Sequence, residues 1–362
     1  MPNLKLKHLM KNQTNKRTRH EEPNWLDRHH LGFVNLVTYV FVPHSSTETD
    51  RMSNLKPAHI GNLNGLWPRP WLYSRVLLLF ALAFAILYSV WSLEGRGGAS
   101  NILPGLTIIG ALAMPMALTI FFFECNKFHT VPLLRVFQYM LVGSVVAIAI
   151  TFLLSFIIDW GLDFKLIVPK ILKRGELRNI QSIHPLGFLG YHPEAAMAVS
   201  ALIEEFGKTL LIYAFMMRHR SNCYILQGML IGAAVGAGFA VFETAGYALV
   251  GSEHLLQSEI ERGLMAPVCH TAWGAIIGGG TMLIAKQRLR WRMLFNPLFS
   301  LTFICVGGLH FLWNWALDSC NTLMYNVQLG IATVFILLLL MWLGVLQVRK
   351  FKAQGYIPVG SL

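Results

Sequence analysis

AAMAVSALIEEFGKTLLIYAFMM, residues 195–217, is long and apolar enough to cross a bilayer, yet it carries Glu204, Glu205 and Lys208 near its middle. A hydrocarbon core takes about 20 such residues as a helix. Charged groups at that depth cost about 2.5–3.5 kcal/mol each on insertion scales, so they occur where they pair or where a site needs them. Lys208 follows Glu204 by four residues and Glu205 by three, and its ammonium reaches back to either acid along one helical face. A buried ion pair that fixes helix packing would account for one acid and the lysine. The second acid is left over.

Around this run the composition is that of a polytopic membrane protein. The chain has 362 residues, 54% hydrophobic and 13% charged, with a mean hydropathy of +0.51; ordinary soluble domains are about 25% charged. The net charge of +12 does not point to nucleic acid, because the cations lie in short clusters beside apolar spans. That is the orientation signal of membrane proteins. The cysteines (Cys125, Cys223, Cys269, Cys305 and Cys320) include no CxxC pair, and Cys269 and Cys305 fall inside apolar spans, so no disulfide framework or zinc ribbon is expected.

The expected fold is all-α, a membrane helix bundle of about eight spans with a four-helix catalytic core. Residues 1–70 read as a basic, partly disordered cytoplasmic tail in contact with anionic lipid; the apolar run Leu31–Val42 is too short to span. It is not a signal peptide either. Spans are expected at about 71–93, 102–123, 136–158, 195–217, 224–250, 264–285, 298–317 and 327–347. The first three (71–158) are accessory, 159–193 is an extracytoplasmic interfacial loop, 194–317 is the core, and 318–362 holds the last helix and a cytoplasmic tail. Arg218 and Arg220, then Lys286, Arg288, Arg290 and Arg292, then Arg349, Lys350 and Lys352 close alternate spans, whereas the loop 251–263 is acidic. Both termini are therefore expected in the cytoplasm. The loop 159–193 is basic against this rule, which long loops obey weakly.

Further polar residues fall inside these spans. Glu243 lies in the fifth, beside the small-residue positions Gly228, Gly232, Gly236 and Gly238, which read as a packing face. His270 lies in the sixth, after Arg262 and Pro267; His310 and Asn314 lie four apart on one side of the seventh. Counted from the outer span ends, Glu204 is about nine residues in, Glu243 and His310 about seven, and His270 about six. At about 1.5 Å per residue this puts all four some 10–14 Å below the outer surface, in one polar chamber. Acids, histidines and an asparagine in such a chamber suit water activation and attack on a peptide bond, with His310 and Asn314 as oxyanion donors. HExxH and GxSxG are absent. No cofactor is expected; in a zinc alternative the ligands would be Glu243, His270 and His310.

The pattern Glu204-Glu205-x-x-Lys208, Phe239-x-x-x-Glu243, a histidine at 270 and His310-x-x-x-Asn314, on four consecutive spans, resembles the PrsW family of intramembrane proteases. That family sits within the wider superfamily of CAAX-processing endoproteases. The resemblance implies a glutamic-type protease of the bacterial inner membrane in which Glu204 activates water, with Glu205, Lys208 and Arg262 in support. Glu243 stands where the CAAX enzymes carry a histidine that helps hold the water, and His310 and Asn314 would bind the oxyanion. It also implies a single-span membrane protein as substrate, such as an anti-sigma factor cleaved at its first site. A proton- or ion-coupled transporter and a catalytically silent scaffold are the rival readings, since buried Glu, Lys and His also build proton relays.

Overall fold

A computed structural model describes residues 67–93, 102–128, 130–161, 193–218, 224–250, 269–286, 288–317 and 322–355. The tail up to residue 66, the basic segment 162–192 and the loop containing Arg262 lie outside them. Regular structure among the described residues is all helical: α1 (Leu72–Leu93), α2 (Leu103–Cys125), α3 (Leu133–Val142), α4 (Ile148–Gly161), α5 (Pro193–Met217), α6 (Ile225–Val250), α7 (His270–Ala285), α8 (Pro297–Leu317) and α9 (Thr322–Ala353). A π-helical turn, Gly143–Ala147, joins α3 to α4, and together they make one span, Leu133–Ile158.

Among the described residues six helices are long and apolar enough to cross a membrane, and the protein is an integral membrane helix bundle. The remaining two of the eight expected spans are the ones that hold charge or stop short. α5 carries Glu204, Glu205 and Lys208. α7 has only 16 residues, about 24 Å at 1.5 Å per residue. It begins at His270, after the non-helical Cys269 (φ −109°, ψ −129°), whereas the expected span starts at residue 264; residues 264–268 lie outside the described residues. The last span is longer than expected at both ends. Its basic residues Lys350 and Lys352 sit in the final turn, where the negative end of the helix dipole favours them, and Gly355 at φ +66° ends the run.

α6 is the centre of the bundle. Of its apolar window 89% is buried, against 6% for α1, as expected of a helix that is apolar all round. Gly228, Gly232 and Gly236 recur every four residues and so form one stripe. A Cβ at Gly232 would lie 1.9 Å from the Gly274 carbonyl oxygen, at Gly228 2.2 Å from that of Gly278, and at Gly236 2.1 Å from that of His270. The two backbones touch along an antiparallel seam, and the last contact fixes the height of His270. Gly238 does not share this face. Two residues on, and therefore turned by about 200°, it meets the Met140 carbonyl of α3 at 1.9 Å. α8 runs antiparallel to α5, with Tyr213 against Phe299 at one end and Leu202 against Gly307 nearer the other.

Polar side chains tie off one end of the bundle. Glu124 accepts the backbone N–H groups of Trp71, Leu72 and Tyr73 at 2.8–3.0 Å, satisfying the free donors at the start of α1. Gln347 of α9 does the same for Ile225 at the start of α6 (2.9 Å). Between them Tyr224 donates to Asn126, and Thr130 links Tyr224 to Gln227.

Candidate active site

α5 presents Glu204, Glu205 and Lys208 on successive turns. The lysine selects the acid three residues back: Nζ donates to Glu205 Oε1 at 2.5 Å, with both side chains fully buried. Its second contact crosses to α7, where Nζ lies 2.8 Å from His270 Nδ1. The Phe239 ring covers the same ammonium at 4.4 Å, a cation–π contact. A buried ammonium is thus surrounded by a carboxylate, an imidazole and a ring face, which together offset its desolvation.

The two histidines are held in opposite senses. His310 Nδ1 lies 2.9 Å from Glu205 Oε1; a carboxylate only accepts, so Nδ1 carries the proton and the Nε2 of a neutral ring bears a lone pair. An ammonium only donates, so His270 Nδ1 accepts from Lys208 and its Nε2–H donates to Glu243 Oε2 at 2.7 Å. His310 Nε2 faces Glu204 Oε2 at 3.6 Å, beyond a hydrogen bond. That oxygen is buried and has no hydrogen-bond partner. Two acceptors therefore face each other across a gap that one water could bridge by donating to both. Glu204 and Glu243 are the partly exposed members of the group (17% and 21%), while Glu205 and Lys208 are sealed behind them.

The structure thus brings together Glu204, Glu205, Lys208, Glu243, His270 and His310, residues from four helices spread over more than a hundred positions. Asn314, one turn along α8 from His310, is half-buried and shares none of the contacts that join these six. Arg262 lies outside the described residues. Two site neighbours have contacts that the sequence pattern alone does not assign, although Phe239 stands in the Phe239-x-x-x-Glu243 motif. Phe239 sits four residues before Glu243, and Trp273, three after His270, stacks on His310 with centroids 4.8 Å apart. The helical spacing of each was the available signal.

A metal site can be tested on the same atoms. The group whose donor atoms converge, all within 4.8 Å, is Glu204, His270 and His310. It differs from the Glu243, His270, His310 set expected from sequence in holding Glu204 in place of Glu243, whose carboxylate contacts His270 Nε2. Two features suit a metal: the unpartnered Glu204 oxygen, and a carboxylate behind His310, a common support for metal-bound histidines. The third donor does not. Both ring nitrogens of His270 are engaged, one by an ammonium, and catalytic zinc takes three protein ligands. The residues as they stand offer two free donors, and a metal here would require His270 to give up one of its two contacts.

No curated relative and no solved structure matches the chain. A family model described as PrsW family intramembrane metalloprotease matches residues 131–343, from the start of α3 into α9 and across every residue of the cluster. With more than half of its length under that match, the chain belongs to the PrsW family of intramembrane proteases.

Proposed function

We propose that the protein is a glutamic-type endopeptidase of the bacterial inner membrane, with both termini cytoplasmic, which cleaves a single-span membrane protein near the outer face. The observation that carries this reading is the pair of facing acceptors, Glu204 Oε2 and His310 Nε2, 3.6 Å apart, with the other nitrogen of the imidazole fixed by Glu205. A water donating to both would turn a lone pair outward, toward the side on which Glu204 is partly exposed. Glu204 takes the proton as the water oxygen attacks the scissile carbonyl carbon. The tetrahedral oxyanion is met by the half-buried amide of Asn314. The proton then passes to the leaving amine as the C–N bond breaks. Lys208 and Glu205 stand behind the reacting groups and hold His310 and His270 in their tautomers.

The family's printed name speaks of a metalloprotease, and the engaged His270 supports the metal-free route for this chain. Reconstitution of the full chain in liposomes with single-span reporter proteins, an anti-sigma factor among them, tests both points. Two new termini near the outer face, formed equally with and without a strong chelator, are the expected result. Solute flux without cleavage would favour a transporter, and a stable complex without product would favour a scaffold. Loss of cleavage in chelator, restored by zinc, would overturn the metal-free route.

A further inference from the structure

We propose that Trp273 is a positioning residue for this site: its indole face sets the plane of the His310 imidazole and so aims Nε2 at Glu204. The inference rests on the peptidase reading above. Among the described side chains His310 is tethered by one hydrogen bond, Nδ1 to Glu205 Oε1 at 2.9 Å. With its Cβ–Cγ bond, this tether holds one edge of the ring, and rocking about that edge swings Nε2 away from the Glu204 oxygen 3.6 Å off; His270 meets the ring only edge-on, at 4.9 Å and 79°. The Trp273 ring lies against the imidazole at 4.8 Å and 31°, near enough to parallel that rotation would drive the imidazole into the indole. His270 needs no such support. Both of its nitrogens are tethered, and Trp273 meets it edge-on at 5.2 Å and 87°.

Trp273 is suited to act as a wall. It is 1% exposed, and Trp313 of α8 packs edge-on against it at 6.3 Å and 79°. Its indole N–H is buried without a hydrogen-bond partner, so its desolvation is not offset. A phenyl ring would avoid that cost and still present a face. The broad flat surface, rather than the N–H, is what His310 uses.

The test compares the full-length parent with Trp273→Phe and Trp273→Leu on the same reporter, and follows the His310 ring signal in 13C-histidine-labelled protein, assigned by its loss in His310→Gln. The leucine variant is expected to lower kcat about 10- to 100-fold with KM unchanged, and to move the His310 Cε1–H signal downfield as the ring current disappears. The phenylalanine variant is expected to recover most of kcat and most of the upfield shift. Trp273→Met, which fills the space without a ring, replaces the leucine variant if that chain does not accumulate. Parental kcat in the leucine or methionine variant would overturn the inference. So would a phenylalanine variant as slow as leucine, since that would assign the role to the N–H. An inert parent chain would instead sink the peptidase reading, and the His310 signal would still show whether the stack holds.

Discussion

Lys208 is the charge around which the site is assembled, and its removal has consequences that can be foreseen. Lys208→Met leaves the Glu205 carboxylate buried with His310 as its one hydrogen-bond partner and His270 3.9 Å away, and frees His270 Nδ1. Breaking a buried pair from one side costs about 3–5 kcal/mol, so the variant should melt well below the parent in detergent. Glu205→Gln added to Lys208→Met should recover part of that stability, since it removes the stranded charge as well. A double variant no more stable than Lys208→Met would mean that the pair does not share an energy term. The existence of this pair could be read from the sequence; which acid it used could not. Spacings of three and four both suit a helix, and the choice was made by His270 and His310, which come from distant segments and hold Glu205 and Lys208 together. The converging donor group has Glu204 where the zinc set expected from sequence has Glu243. Residue types say what can ligate, but only the fold shows which donors converge.

At the scale of elements, the seam between α6 and α7 places His270. Gly232→Leu should separate the two helices, because even its Cβ would lie 1.9 Å from the Gly274 carbonyl. The expected outcome is poor accumulation, or an accumulated protein without activity. Gly308→Ala on α8 is the matched control: nothing lies within 4 Å of its Cβ, and the substitution should stabilise by about 0.5–1 kcal/mol in melting measurements. Equal behaviour of the two variants would contradict the close-packed seam. Most of the spans were legible, since 20-residue apolar runs have few other uses. The start of α7 was not. Residues 264–269 are as apolar as a helix interior, and the one local signal of a later start is Pro267, which a count of apolar residues passes over. His270 therefore stands at the first residue of its helix rather than about a turn and a half inside it.

Across the whole molecule, the charge pattern predicts one orientation, and with it the side from which substrate is cut. In a chain whose native cysteines are replaced, Lys286→Cys lies on an exposed residue at the end of α7. An impermeant thiol reagent should label it in inside-out vesicles and not in right-side-out ones; the reverse pattern would invert the topology and move the proposed cut to the inner leaflet. The bundle brings one unpartnered carboxylate oxygen of Glu204 to 3.6 Å from one imidazole nitrogen of His310, and the proposed peptidase function depends on that carboxylate taking a proton from water. Glu204→Gln keeps the shape of the side chain and removes its basicity. The most direct measurement is therefore the single-turnover rate of reporter cleavage by this variant at matched protein concentration. The account predicts a properly accumulated, parent-like bundle with cleavage reduced at least about a hundredfold, the scale of a lost general base; cleavage at the parental rate would contradict it.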